Sequence, residues 1–407
     1  MSKKKLHIYY FSTALSDEIY DGIVRESKRF KPTFSGVGFD RNVALGLSEQ
    51  VEITGVSLYP IPSYPKFSKL RKESHSYKIG NFECKVPSMV SLPIVKEYEY
   101  GWSAYCAVKK MMRKDEENVI LISGLYRSLI RPAKWLKWSY GVPVFAIVPD
   151  LPELMITYRK DYSKMRQMLN DMDMKRAMKY RDAVDGFVVL SAFMIPVVNR
   201  HNRPWTILDG LCNLTAIDQI KAEKSVERFI LYAGKISSTF GVDKLVEGVL
   251  DAGLKDVKLV LCGDGDYTLA LREKAANYPQ IDFRGTVSHD TVLALEKSAT
   301  LLVDPRPIDS EIAKMSFPSK IIEYMASATP VLVSNIPSFA PEYRQHQYRI
   351  EEVSAKGIEN ALREVFSHTD EELTALGASA RQFILENKTI QKQCEKVIDL
   401  IRSVVRE

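Results

Sequence analysis

The sequence predicts an α/β protein made of two doubly wound halves, and three observations predict it. Short apolar runs at 6–11, 51–59, 119–122, 144–148 and 186–190 alternate with helix-like segments, and a second series follows at 229–232, 257–262, 281–283, 300–303 and 330–333. That alternation is the pattern of a parallel sheet whose strands are joined by crossover helices. The runs are continuous and rich in β-branched residues, as strands buried on both faces are. With 407 residues, 45% of them apolar and 27% charged, the chain has room for two or three domains that each bury a core.

Taken in order, MSKKKLHIYYFSTALSDE has basic residues and then an apolar run too short for a secretory h-region, so it reads as a first strand. The loop FSGVGFD precedes a helix at 42–49, and ligands of open α/β sheets sit beyond the carboxyl ends of strands. Gly36 and Gly38 in that loop would let backbone approach a diphosphate, although a Gly-x-Gly pair also serves plain turns. Residues 60–100 mix prolines, tyrosines and lysines without a period and read as a long loop. Trp135-Leu136-Lys137-Trp138 offers an interfacial anchor. The Pro149-Asp150 turn ends the fourth strand, so it is a natural site edge and Asp150 a candidate catalytic carboxylate. Met165, Met168, Leu169 and Met172 recur at helical spacing with Lys and Arg elsewhere, a stripe for core packing or for a membrane surface. The domains are assigned as 1–208, 209–385 and a final helix within 386–407, whose apolar face is Val397, Ile398, Ile401 and Val404.

The most informative stretch is EIAKMSFPSKIIEYMASATPVLVS, residues 311–334, which reads as a loop, a helix and a buried strand. Pro318 suits the first helical turn, and Ser316 or Ser319 can cap the free amides. Ile321, Ile322 and Met325 form an apolar side, while Lys320 and Glu323, three apart, share a face. A helix N-terminus behind a loop attracts anions. Lys320 adds a full positive charge, and the carboxylate beside it can accept hydrogen bonds from sugar hydroxyls. A nucleotide-sugar diphosphate site needs that combination. Upstream, Gly234-Lys235 follows a strand and precedes Ser237, Ser238, Thr239 and Gly241, small residues that let backbone approach phosphate. Gly263-Asp264-Gly265-Asp266 contains an Asp-x-Asp that can hold a metal in other settings, but its glycines fit a tight turn at a strand end, and no metal ligand is assigned.

These segments resemble the C-terminal domain of the retaining GT-B glycosyltransferases of family 4, especially bacterial polysaccharide enzymes that carry FPSK followed by EY. LYAGKISSTFGVDKLVEGV, VKLVLCGDGDY, IDFRGTVSHDTV and LLVDPRP follow the order and spacing of that domain. The resemblance implies two Rossmann-like domains facing a cleft, with the last helix crossing back to the first. It implies Lys235 on the diphosphate, Gly263 shaping the donor pocket, Gly285 and Thr286 near the base, and Glu323 on the ribose, without a metal or other cofactor. Three departures stand out. Phe240 occupies the place of a second basic residue, which leaves Lys320 to take the second phosphate charge. Met315 occupies the place of a companion glutamate; Glu311, four residues upstream on a loop, either substitutes or is simply an exposed acid. Pro149 replaces a histidine common before the aspartate. The implied reaction moves a sugar, with retention, from a UDP- or GDP-type donor to a hydroxyl of a saccharide or lipid-linked oligosaccharide. Capsule, exopolysaccharide and lipopolysaccharide are the implied settings. An epimerase or phosphorylase of the same fold, or an inactive binding subunit, are the rival readings.

Net charge is +6, but residues 1–205 hold 33 Lys and Arg against 21 Asp and Glu, or +12, while the remainder holds 24 against 30, or −6. A basic first half suits an anionic partner such as the inner face of the cell membrane; solvated lysines are the plainer account. It lacks a nucleic-acid recognition motif. The five cysteines (Cys84, Cys106, Cys212, Cys262, Cys394) are odd in number and scattered, which disfavours disulfides or zinc and fits a reducing cytoplasm. Apolar runs fall short of the roughly 20 residues of a membrane span. The six histidines do not pair with Ser or Cys motifs, which removes support for a nucleophilic hydrolase.

Overall fold

The computed structural model describes residues 4–28, 34–93, 95–151, 168, 172, 179–309 and 311–405. They divide into two units, Met1–Leu211 with Ile390–Glu407, and Cys212–Thr389. Among the described residues no helix is long and apolar enough to cross a membrane, and all five cysteines are free.

The first unit is built on β1 (Lys5–Ser12), β2 (Glu52–Ser57), β3 (Arg71–Lys72), β4 (His75–Ile79), β5 (Phe82–Val86), β6 (Met89–Val90), β7 (Glu116–Ser123), β8 (Val144–Val148), β9 (Gly186–Val189) and β10 (Trp205–Ile207). Its sheet has the order β10-β9-β8-β7-β1-β2-β5-β4. All neighbours are parallel except the β4–β5 hairpin. In the central strands the runs Ile8 to Phe11 and Val144 to Val148 are fully buried, because helices cover both faces of a parallel sheet. Crossovers include α1 (Asp17–Glu26), α2 (Phe34–Ser48), α3 (Val95–Met111) and α4 (Arg127–Tyr140). Helix Ile390–Val405 belongs to this unit: Ile390, Cys394, Val397, Ile398 and Ile401 are buried in its core. It lies so close to α2 that a Cβ on Gly46 would stand 2.3 Å from Ile390 Cγ2.

Two expectations for this unit are corrected. Residues 60–100 contain strands: β4 and β5 extend the main sheet, and β3 pairs with β6. FSGVGFD is the first part of α2, which starts eight residues before the expected helix. Asp40 explains the ordering there. Buried at the head of the sheet, it accepts hydrogen bonds from Thr13 N (2.7 Å), Thr13 Oγ1 (2.7 Å), Tyr10 Oη (3.2 Å) and Ser123 Oγ. It therefore ties α2 to the ends of β1 and β7. Most of the methionine stripe lies outside the described residues; Met168 and Met172 are exposed.

The second unit has six parallel strands: β11 (Arg228–Ala233), β12 (Val257–Cys262), β13 (Ile281–Gly285), β14 (Leu301–Asp304), β15 (Val331–Ser334) and β16 (Tyr348–Ile350). Their order is β13-β12-β11-β14-β15-β16. The first strand is thus central, and the winding reverses between β11 and β14. Loops at such a switch point diverge and leave a crevice at the carboxyl ends of the strands. Sequence and topology together place the candidate donor residues at that edge.

Candidate active site

The loop after β11 lies directly on the loop after β12. Gly234 N donates to Cys262 O (2.9 Å), Ile236 N to Asp264 O (3.0 Å) and Gly263 N to Gly285 O (2.8 Å). Gly263 has φ +136°, and a Cβ there would fall 1.8 Å from Gly234 O. Only glycine meets both demands. Asp264 serves this turn itself: its Oδ1 accepts from Gly265 N and from Thr268 Oγ1, both at 2.9 Å. Gly285, at φ +67°, ends β13, and Thr286 follows it on the surface.

Charge enters from two sides. Lys320 Nζ sits 3.2 Å from Asp304 Oδ1 and 4.0 Å from the centre of the Tyr232 ring. It would meet a Cβ on Gly234 at 3.1 Å, so the ammonium stands over that loop. Lys235 is exposed, with Nζ 5.9 Å from the Phe240 ring centre. Arg306, in the loop after β14, holds its guanidinium 5.3 Å from the same ring and donates to Ser316 Oγ at 3.3 Å. Arg306 thus brings a positive charge beside Phe240. Arg306 went unassigned in the sequence because its partner lies far away along the chain.

The FPSK segment differs in detail from expectation. Helix Lys320–Ala326 has seven residues and starts two residues after Pro318. Ser319 occupies its N-cap but makes no side-chain cap hydrogen bond, and Ser316 lies ahead of the helix beside Arg306. Backbone bonds replace the caps: Ile321 N donates to Pro318 O (2.9 Å) and Ile322 N to Ser319 O (3.1 Å). In so short a helix the lysine ammonium outweighs the dipole. Ile321 and Ile322 are buried. Glu311 opens the helix Glu311–Met315 instead of lying on a loop.

Glu323 Oε2 lies 3.5 Å from His289 Nε2, with its side chain 30% exposed. Desolvation raises its carboxyl above the ordinary value, and His289 opposes the shift. The adjoining Tyr324 points inward. Its hydroxyl donates to Ala233 O (3.2 Å) and accepts from Ala233 N (2.9 Å). The Glu-Tyr pair thus presents one carboxylate outward and fixes the backbone just before Gly234.

In this unit the structure brings Gly234, Lys320, Gly263 and Gly285 together, with Lys235 and Arg306 flanking Phe240. In the first unit Gly36 and Gly38 lie within α2, where added Cβ atoms would meet nothing within 4 Å. Neither packing nor turn geometry requires glycine there. Asp150 is exposed just beyond β8, and local desolvation still raises its carboxyl.

Two parallel, doubly wound units make this a GT-B-type α/β chain. Residues 215–383, nearly all of the second unit, match the family model described as "Glycosyl transferases group 1". Sucrose-phosphate synthase from Thermosynechococcus elongatus is similar in structure, with a TM-score of 0.65 and 15% identity over 98% of this chain and 99% of that one. An E. coli trehalose-6-phosphate protein bound with UDP-2-fluoro glucose reaches 0.61 at 11% identity, over 97% and 98%. WaaG, a glycosyltransferase involved in lipopolysaccharide biosynthesis, reaches 0.56 at 15% identity, over 97% and 99%. No curated protein sequence matches the chain.

Proposed function

We propose that this protein is a retaining glycosyltransferase of family 4 that moves a sugar from a nucleoside diphosphate sugar to a hydroxyl of a lipid-linked saccharide during assembly of a bacterial surface polysaccharide. The observation that carries the reading is the switch point of the second unit: Lys320 over the Gly234 loop, with Lys235 and Arg306 beside it. The group 1 match over the same residues supports it, as does the similar fold bound with UDP-2-fluoro glucose.

In this reading Lys235, Lys320 and Arg306 neutralise the diphosphate as the sugar–phosphate bond breaks, which lowers the barrier more than any ground-state contact does. Glu323 accepts hydrogen bonds from the ribose hydroxyls, and the Gly285-Thr286 backbone faces the base. Asp150 orients the acceptor hydroxyl or takes its proton, and Glu311 attends the donor sugar. The use of Asp264 within its own turn favours a reaction without a metal.

The acceptor side draws support from α3 and α4. Trp102 stacks on Tyr105 at 5.5 Å, and both meet Trp135 edge-on at 6.3 Å. Trp102 is 59% exposed and Trp138 88%, and Lys109, Lys110 and Lys134 are exposed on the same two helices. Indoles beside lysines suit the headgroup level of an anionic cytoplasmic leaflet. The test is release of UDP or GDP from the corresponding sugars in the presence of anionic vesicles carrying extracted lipid-linked saccharide. Transfer is expected with one donor, and the Trp102→Ser/Trp138→Ser double variant should lose most vesicle-borne transfer while binding nucleotide normally. Nucleotide binding without transfer would favour a binding subunit, and unchanged transfer by the double variant would contradict the membrane surface.

A further inference from the structure

Glu296 is a buried acid for which the donor reading has no task. It lies on helix His289–Ser298 and is 1% exposed. Neither carboxyl oxygen has a hydrogen-bond donor among the described residues. The same helix carries His289 two turns earlier, so one helix face runs alongside Glu323. The helix that sets His289 3.5 Å from Glu323 thus carries the buried Glu296 carboxyl behind it, and the two acids act on each other's ionisation. Two carboxyls share a hydrogen bond only if one holds a proton.

We infer that Glu296 is a protonated positioning residue that donates a hydrogen bond to the Glu323 carboxylate and so aims it at the ribose of a nucleoside diphosphate. This inference rests on the donor-site reading above. The proton belongs on Glu296 because Glu296 is the more buried partner, whereas Glu323 keeps solvent and His289. Burial first, and the neighbouring Glu323 charge second, lift Glu296 well above the ordinary carboxylate range. The other groups facing the pair are Lys320 and Tyr324 on helix Lys320–Ala326, and Cys212. Lys224 lies behind it, with Nζ on Ala299 O (2.7 Å) and Thr329 Oγ1 (2.6 Å). Among the described residues Lys320 is the group that favours ionised Glu296, and it is already engaged by Asp304.

The sign of the pH effect follows. The folded chain keeps a proton that the unfolded chain releases near pH 4.5, so the pair's contribution to stability is complete below that pH. It is lost as pH rises through the folded-state value. The test compares wild type with Glu296→Gln, which keeps a donor but cannot ionise, and Glu296→Leu, which keeps bulk but cannot donate. UDP, GDP and ADP affinities are measured by calorimetry across pH, alongside urea unfolding without nucleotide. Glu296→Gln should retain affinity and lose the alkaline decline of both affinity and stability that wild type shows. Glu296→Leu should bind about tenfold more weakly, the loss expected for a hydrogen bond to a charged group. Wild-type affinity in Glu296→Leu, or an unchanged pH profile in Glu296→Gln, would overturn the inference. Failure of wild type to bind any nucleotide would overturn the positioning role through the donor reading itself, and the unfolding profiles would still report whether the shared proton exists.

Discussion

Replacing Lys320 by alanine is expected to lower turnover about 10²- to 10³-fold, the size seen when one preorganised group that stabilises transition-state charge is removed. Lys320 reaches over the Gly234 loop from the neighbouring helix, 3.2 Å from buried Asp304 and over the Tyr232 ring. Its loss also strands the Asp304 carboxylate, so Lys320→Ala alone confuses catalysis with folding. The Lys320→Ala/Asp304→Asn double variant separates them. It should unfold close to the wild-type urea midpoint and remain as slow as the single variant. Lys320→Arg should recover only part of the rate, because a longer guanidinium with delocalised charge does not reproduce the compact ammonium held between Asp304 and the Gly234 loop. Recovery of turnover in the double variant would show that Lys320 serves Asp304 alone.

Gly263→Ala should be the most damaging substitution without a charge change, costing about 3 kcal/mol of stability. Two independent demands meet at this residue. Its φ of +136° lies where L side chains are strained. A methyl would also stand 1.8 Å from Gly234 O, a backbone atom that cannot rotate away. The loop that must yield carries Gly234 and Lys235, so nucleotide affinity should fall with stability. Neighbouring Asp264 offers the control, since Asp264→Asn keeps an acceptor for Gly265 N and Thr268 Oγ1 and should leave both measurements near wild type. A Gly263→Ala protein with the wild-type urea midpoint would show that the two loops are not packed as described.

The buried strands were legible because strands covered on both faces are written as continuous apolar runs; β8 and β12 match their predicted limits. The β4–β5 hairpin was hidden because it edges the sheet and alternates exposed with buried residues among prolines and lysines. Strands β10 and β16 have three residues each, too few for a periodic signal. FSGVGFD looked like a loop from its glycines, yet the buried Asp40 anchors a helix there. In the proposed donor site, Gly234, Lys235, Lys320 and Glu323 stand out in the sequence because phosphate and hydroxyl recognition call for particular residue types near strand ends. Glu296 and Arg306 do not. A glutamate on an amphipathic helix looks like an ordinary surface charge, and only the fold sets it against Glu323 or brings Arg306 to Phe240.

The most direct test is a crystal structure of the protein with the nucleoside diphosphate that binds it most tightly. The pyrophosphate should lie over the Gly234 loop within reach of the Lys320 and Lys235 ammonium groups, with the ribose hydroxyls on Glu323. A nucleotide bound elsewhere, or its phosphates turned away from both lysines, would contradict the donor site and the glycosyl transfer proposed from it.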